Sequence, residues 1–252
     1  MLPTLLILCS TASAKGPLPT ADALANSWDG LQGSVVTTAV FPIELTRKDF
    51  ELIARGKVAK RRIREDGPDR AMGAMWTPVS RDRVWISILD DVHDTLVSSL
   101  TEHRLGKSKE GNKLLYQHLD LPWPVQDRQW VIEITNNRTL AQTTNNQLWE
   151  RSWDLAKPAL MPNPNREAVW VPVTTGSWLL FPVEHGTFVV YHARSAIGGR
   201  IPDEAVTRWA LATLDEMMIH IADRAATIDA HYTEPHEIIH GCDEKPIPRF
   251  EE

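Results

Sequence analysis

Cysteine is almost missing from this chain: 252 residues carry two, Cys9 and Cys242. A leader cut after Ala14 would leave Cys242 alone, which excludes an intrachain disulfide in the mature protein. A basic excess is missing too. The formal net charge is -6, which gives no electrostatic case for nucleic acid. The one basic cluster, Lys57 to Asp66 ("KVAKRRIRED"), reads as a solvated strand face. No stretch approaches the ~18 apolar residues of a membrane span. G-x-S-x-G, H-E-x-x-H, P-loop and G-x-G-x-x-G patterns are all lacking, so no catalytic residue and no cofactor is assigned. Tyrosine is scarce at three residues, whereas tryptophan is plentiful at ten. Tryptophan brings a large apolar body and one N–H donor, which suits a pocket wall as well as a core.

The start of the chain has the pattern of a leader. Leu5 to Cys9 is a short apolar run, and Ala12-Ser13-Ala14 precedes Lys15. This resembles a secretory signal peptide over residues 1–14 and predicts export, periplasmic or secreted. An uncleaved start would instead mean a cytoplasmic protein. Further along, Thr20 is a candidate cap for a short helix to Trp28. Ser34 to Phe41 is rich in β-branched residues, and Phe50 to Arg64 and Ala71 to Val79 read as strands. After Ser80 the period changes, predicting helices near 81–90 and 92–100.

Strands are then expected near 102–106, 113–120, 129–138, 143–155, 168–180 and 186–194. Short turns between them argue for an antiparallel meander. Pro202-Asp203 opens a long helix to about Ala230, with an apolar stripe of Val206, Ala210, Leu214, Met217, Ile221 and Ile228, widened by Trp209 and Met218. The proline-broken tail, residues 231–252, reads as an extended appendage. Its His231, His236, His240 and Cys242 are not read as a metal site, because Pro235 opposes a preorganised set.

An antiparallel sheet with one apolar face must bury that face, and the C-terminal helix is the element long enough to cover it. The expected fold class is therefore α+β, a helix-grip: a curved antiparallel sheet around a long C-terminal helix, with two short helices between early strands. An internal cavity is its natural use.

Three pieces of sequence carry a resemblance. "YQHLDLPWPVQDRQWVIEI" holds a P-x-P-x-x-x-R corner before a strand. "GTFVVYHARSA" holds a G-T-x-x-x-Y strand, and Gly198-Gly199-x-Ile201-Pro202 launches the last helix. In this order they resemble the START family of steroidogenic-acute-regulatory-related lipid-transfer domains, within the Bet v 1-like superfamily. "VSRDRVWISILDD" is similar to that family's passage from strand to helix. The resemblance implies a START-like domain over residues 49–230, after an N-terminal segment of residues 15–48. It implies a lipid or other hydrophobic small molecule as partner and transient membrane contact. The lack of a catalytic motif, not the resemblance, is what predicts no enzyme activity. Alternatives within the superfamily are an aromatase/cyclase or hydrolase using the same cavity, or a ligand sensor. Gln129 stands where the family has aspartate after the corner arginine. The arginine that some members carry further along the strand falls on Ile134. That acid–base pair therefore does not carry over.

Period two puts Arg128, Trp130, Ile132 and Ile134 on one face of the strand after the corner, the apolar face. Arg128 sits at its rim as a headgroup contact or as a brace of the corner, the brace being favoured. Trp149, Arg151 and Trp153 share a face of the next strand. Turned inward, Arg151 is a polar anchor between two indoles. Turned outward, it is gripped by cation–π contact. These residues, with Val206, Trp209, Ala210, Leu214, Met217 and Ile221, are the candidate cavity lining. The loops near Asn136–Asn146, Gly186 and Gly198–Asp203 are the candidate gates.

Overall fold

The computed structural model describes residues 17–89, 100–161 and 164–250. The leader-like start and the helix expected over 92–100 lie outside the described residues, apart from Leu100, which opens a strand. No helix among the described residues is long and apolar enough to cross a membrane.

The chain opens with α1 (Ala21–Thr38) and α2 (Arg47–Ile53), then β1 (Ala59–Ile63), β2 (Arg70–Thr77) and α3 (Arg81–Leu89). There follow β3 (Leu100–Lys107), β4 (Lys113–Leu119), β5 (Arg128–Asn136), α4 (Arg138–Thr143) and β6 (Trp149–Leu155). The short β7 (Val169–Trp170), the long hairpin β8 (Val173–Val183) and β9 (Gly186–Ala196), and α5 (Asp203–Ala226) complete it. The sheet runs β1-β2-β9-β8-β6-β5-β4-β3, antiparallel throughout this path, while β7 pairs with β5 in parallel. The expected meander and the long last helix are both present, and the architecture is the helix-grip.

Two layers cover the sheet. On the inner face, Leu214, Met218, Ile221 and Ala225 of α5 join Met75, Val189, Leu180 and Trp178 of the strands, together with Trp85 of α3. Gly73 of β2 lets α5 come close, because a Cβ there would lie 2.6 Å from Met218 Sδ and 2.7 Å from Leu214 Cδ2. On the outer face, α1 and α2 bury Leu24, Trp28, Val35, Phe50 and Ile53 against Phe181, Phe188 and Val190. Trp28 lies 5.7 Å from Phe181, which stacks on Phe188 at 4.8 Å.

Four sequence expectations need correction. Ser34–Phe41 is largely the end of α1: Leu24, Trp28 and Val35 form one helical stripe, and burying that stripe outweighs local β preference. The first part of Phe50–Arg64 is α2, started by Thr46, whose amide and hydroxyl both donate to Asp49 Oδ2. The strand expected from 143 begins at Trp149. Before it stands α4, capped by Asn137, whose Oδ1 accepts the Leu140 amide at 3.0 Å. The tail is no appendage, since Tyr232, Cys242 and Ile247 are buried in the inner core. The Tyr232 hydroxyl donates to the Ile247 carbonyl at 2.7 Å, and Trp85 Nε1 donates to the His240 carbonyl.

The sheet has two ends. The front holds the β4–β5 corner, the end of β9 and the start of α5, drawn together by Arg128. The rear holds the β8–β9 turn, the end of β5, α4 and the tail.

Candidate functional site

The inner face of β5, β6, β8 and β9 is an aromatic wall. Trp153 stacks on Tyr191 at 5.7 Å, and Trp178 meets the same ring at 4.6 Å. Gly176 makes room for it, because a Cβ there would lie 2.3 Å from both Trp153 Cζ2 and the His192 carbonyl. Burial pushes the Tyr191 phenol well above its ordinary value, so it stays a neutral hydroxyl.

Arg151 turns inward with Trp153. It lies opposite Trp178 on one side and Asn136 on the other, and is 8% exposed. Its Nη1 donates to Asn136 Oδ1 at 3.2 Å. A guanidinium held among indoles is a strong, planar donor on an otherwise apolar surface.

The other candidates divide. Ile134 pairs with Trp153 across the strands, and Ile132 pairs with Leu155. Val206, Leu214 and Ile221 are buried on the sheet side of α5, and Met217 packs against the same core. Ala210 is half-buried on that side. Trp130 is half-buried and donates to Gln117 Oε1.

Three candidates do not line open space. Arg128 is 2% exposed and donates to the carbonyls of Gln126, Asp127, Ile197 and Gly198, so it braces the front corner. Trp149 is packed between Trp85 at 5.1 Å, the Arg81 guanidinium at 3.7 Å and Gly241. Trp209 is 54% exposed, on a helix face turned away from the core. Gly186, expected as a gate, is closed against Thr77 and Trp76. Asn136–Asn146 is occupied by α4, with Leu140 and Ala141 buried.

A second polar cluster, missed in the sequence, lies on the outer face beneath the α1–α2 connection. Arg70 Nη1 meets His192 Nδ1 at 2.8 Å, and His192 Nε2 meets Ser177 Oγ at 2.8 Å. Ser177 donates to Glu150 Oε1 at 2.8 Å. Arginine has no acceptor, so Nδ1 must accept and Nε2–H must donate to Ser177. The imidazole therefore has no free lone pair for a serine proton, and this is not a hydrolytic triad. Burial first, then the Arg70 charge, lowers the His192 pKa to about 3. Burial raises that of Glu150 against hydrogen bonds from Asn137, Ser177 and the Val40 amide. Strand parity was the only signal for this set, because its members are scattered along the chain.

Among the described residues, His118, Asp120 and Asp127 have metal-ligand spacing, with ligand atoms within 4.8 Å of one another. They would offer one nitrogen and two carboxylate oxygens. His118 Nδ1 is 3.1 Å from Asp120, and Asn165 Nδ2 is 3.3 Å from His118 Nε2, contacts that already tie the corner to the 164–168 loop.

No family model matches the chain. It is 31% identical over 107 residues to the uncharacterized protein PA1579 of Pseudomonas aeruginosa, covering 42% of this chain and 50% of that one. The chain thus spans about half the length of the curated relative it matches. Among solved structures, human STARD10 is similar at a TM-score of 0.54 and 10% identity, covering 70% of this chain and 76% of that one. A STAR-related lipid transfer protein from Xanthomonas axonopodis is similar at 0.51 and 20% identity, covering 68% and 93%. Human StAR-related lipid transfer protein 5 is similar at 0.50 and 11%, covering 67% and 86%. The fold is that of START domains.

Proposed function

We propose that this protein binds a lipid between the inner face of its sheet and α5, and carries it between membranes. One observation carries the reading: Trp153 and Tyr191 of the sheet and Met217 of α5 pack against the inner core and yet are only half-buried. Apolar groups in such a place gain roughly 25 cal/mol for each Å² a ligand removes from water. Arg151 and the Tyr191 hydroxyl are polar groups on that wall that would orient a head group. Fold neighbours that carry lipid-transfer names support the same reading.

The front end is where such a ligand would pass. Trp123 at the β4–β5 corner is 92% exposed and Val125 of the same corner is exposed too, and Arg128, which follows them, bonds to Gly198 in the turn ahead of α5. An indole offered to solvent in this way suits the interfacial region of a bilayer. The leader-like start of the sequence supports a carrier that works outside the cytoplasm.

The experiment is quenching of tryptophan fluorescence by a spin-labelled phospholipid. Saturable quenching that falls in Trp153→Phe and Trp178→Phe supports the site. Quenching unchanged in both variants, or none at all, removes it.

A further inference from the structure

The neck of the β4–β5 corner carries three side chains with metal-ligating atoms. His118 stands near the end of β4, Asp120 follows that strand, and Asp127 precedes β5. One ring nitrogen and one oxygen of each carboxylate lie within 4.8 Å of one another. His118 pairs with Gln129, so it shares the face opposite Trp130 and stands apart from the aromatic wall.

Neighbouring groups decide the tautomer of His118. Asn165 Oδ1 accepts the Glu167 amide at 2.9 Å, so its Nδ2 is the atom turned to His118 Nε2, 3.3 Å away. An amide nitrogen can only donate, so Nε2 carries the lone pair and the ring proton is on Nδ1. That proton is directed at Asp120 Oδ1, 3.1 Å from Nδ1. The lone pair then has a second neighbour of the wrong kind. Asp127 Oδ2 lies 3.6 Å from Nε2, while Asp127 Oδ1 accepts the Leu121 amide at 3.0 Å. Two acceptors face each other with no proton between them, and a cation relieves that repulsion. The separation suits one. Ligand atoms about 2.1 Å from a zinc ion at the tetrahedral angle stand roughly 3.4 Å apart, close to the 3.6 Å found here. Asp120 adds what such a ligand needs on its far side, because a carboxylate on the other ring N–H fixes the tautomer and makes Nε2 more basic.

We propose that His118 Nε2 and Asp127 Oδ2 bind a divalent cation of the zinc class, with Asp120 positioning the imidazole. The ion takes the place of the long Asn165 contact and joins the end of β4 to the start of β5. It closes the neck of the loop 121–126 that carries Trp123. The inference does not rest on lipid binding, and either can fail without the other.

The test is calorimetric titration of zinc chloride into the full chain, free of any affinity tag and stripped with chelator. One zinc per chain is expected, in the micromolar range because the protein supplies two ligands. Calcium and magnesium are not taken up at the same concentration, since an imidazole nitrogen favours zinc over these oxygen-seeking ions. His118→Gln and Asp127→Asn each abolish uptake in that range. Asp120→Asn weakens it about tenfold with the metal-free melting temperature unchanged, as loss of a group that only orients a ligand does. His236→Gln in the tail keeps the affinity. Circular dichroism checks each fold, and Asp127→Asn keeps the oxygen that accepts the Leu121 amide.

No zinc uptake by the wild type in that range overturns the proposal. So does an affinity unchanged in both His118→Gln and Asp127→Asn, which puts the ion elsewhere, the tail histidines included. Equal uptake of calcium overturns the nitrogen ligand and with it the class of ion.

Discussion

Asn136 and Arg151 face each other across β5 and β6 and join side chains at 3.2 Å on the inner face. One residue further on, Asn137 donates to Glu150 at 2.7 Å on the outer face. Two successive cross-strand pairs thus tie opposite sides of one sheet at the same place. The inner pair sits at the ligand wall. The outer pair holds the end of α1, because Asn137 also donates to the Thr38 carbonyl and Glu150 accepts the Val40 amide.

Glu150→Ala is expected to destabilise the fold by roughly 2–4 kcal/mol, because it leaves the Asn137, Ser177 and Val40 donors without a buried acceptor. Urea denaturation measures the loss. Hydrogen exchange is expected to rise first over 38–41. A loss below half a kcal/mol, with unchanged exchange, would show that this carboxylate holds nothing.

Acid acts through His192. Its folded pKa of about 3 lies below the ordinary 6.5, so the neutral ring contributes stability above pH 6.5. That contribution is lost as pH falls from 6.5 toward 3, at up to about 1.4 kcal/mol per pH unit for one proton. Glu150 acts with the opposite sign. Its raised pKa contributes stability below its ordinary 4.5, lost as pH rises through the folded value. The difference between wild type and His192→Gln isolates the histidine, and its urea midpoints should converge toward pH 3. Parallel profiles would contradict the buried neutral ring.

Gly176→Ala is expected to displace Trp153 or bend β8, since its Cβ would meet the His192 carbonyl at 2.3 Å. Overpacking of this kind costs roughly 1–3 kcal/mol. Near-ultraviolet circular dichroism should change with the melting temperature. An unaltered spectrum would show that the wall has slack.

Trp123→Ala is expected to leave the melting temperature alone and to lower binding to phospholipid vesicles. Co-sedimentation checks it. Equal co-sedimentation would remove the corner from any membrane contact.

Much of the frame was legible. Strand alternation, the period change after Ser80 and the Pro202-Asp203 start of α5 are local signals, and they gave the grip and the inward parity of Ile134. Burial decided the rest. Val35 and its β-branched neighbours look like a strand until Leu24 and Trp28 are seen on one stripe with them. Trp149 looks like a pocket wall until the tail lays Gly241 against it, and no local pattern announces that contact. Arg128 was readable as a brace because it follows a proline corner. The partners of Glu150, Ser177 and His192 come from strands that only the sheet order brings together.

The measurement closest to the central claim is native mass spectrometry of the full chain purified without detergent, followed by solvent extraction. The account predicts one lipid per chain at near-stoichiometric amount. A chain that carries no lipid and takes up none when offered vesicles would contradict it.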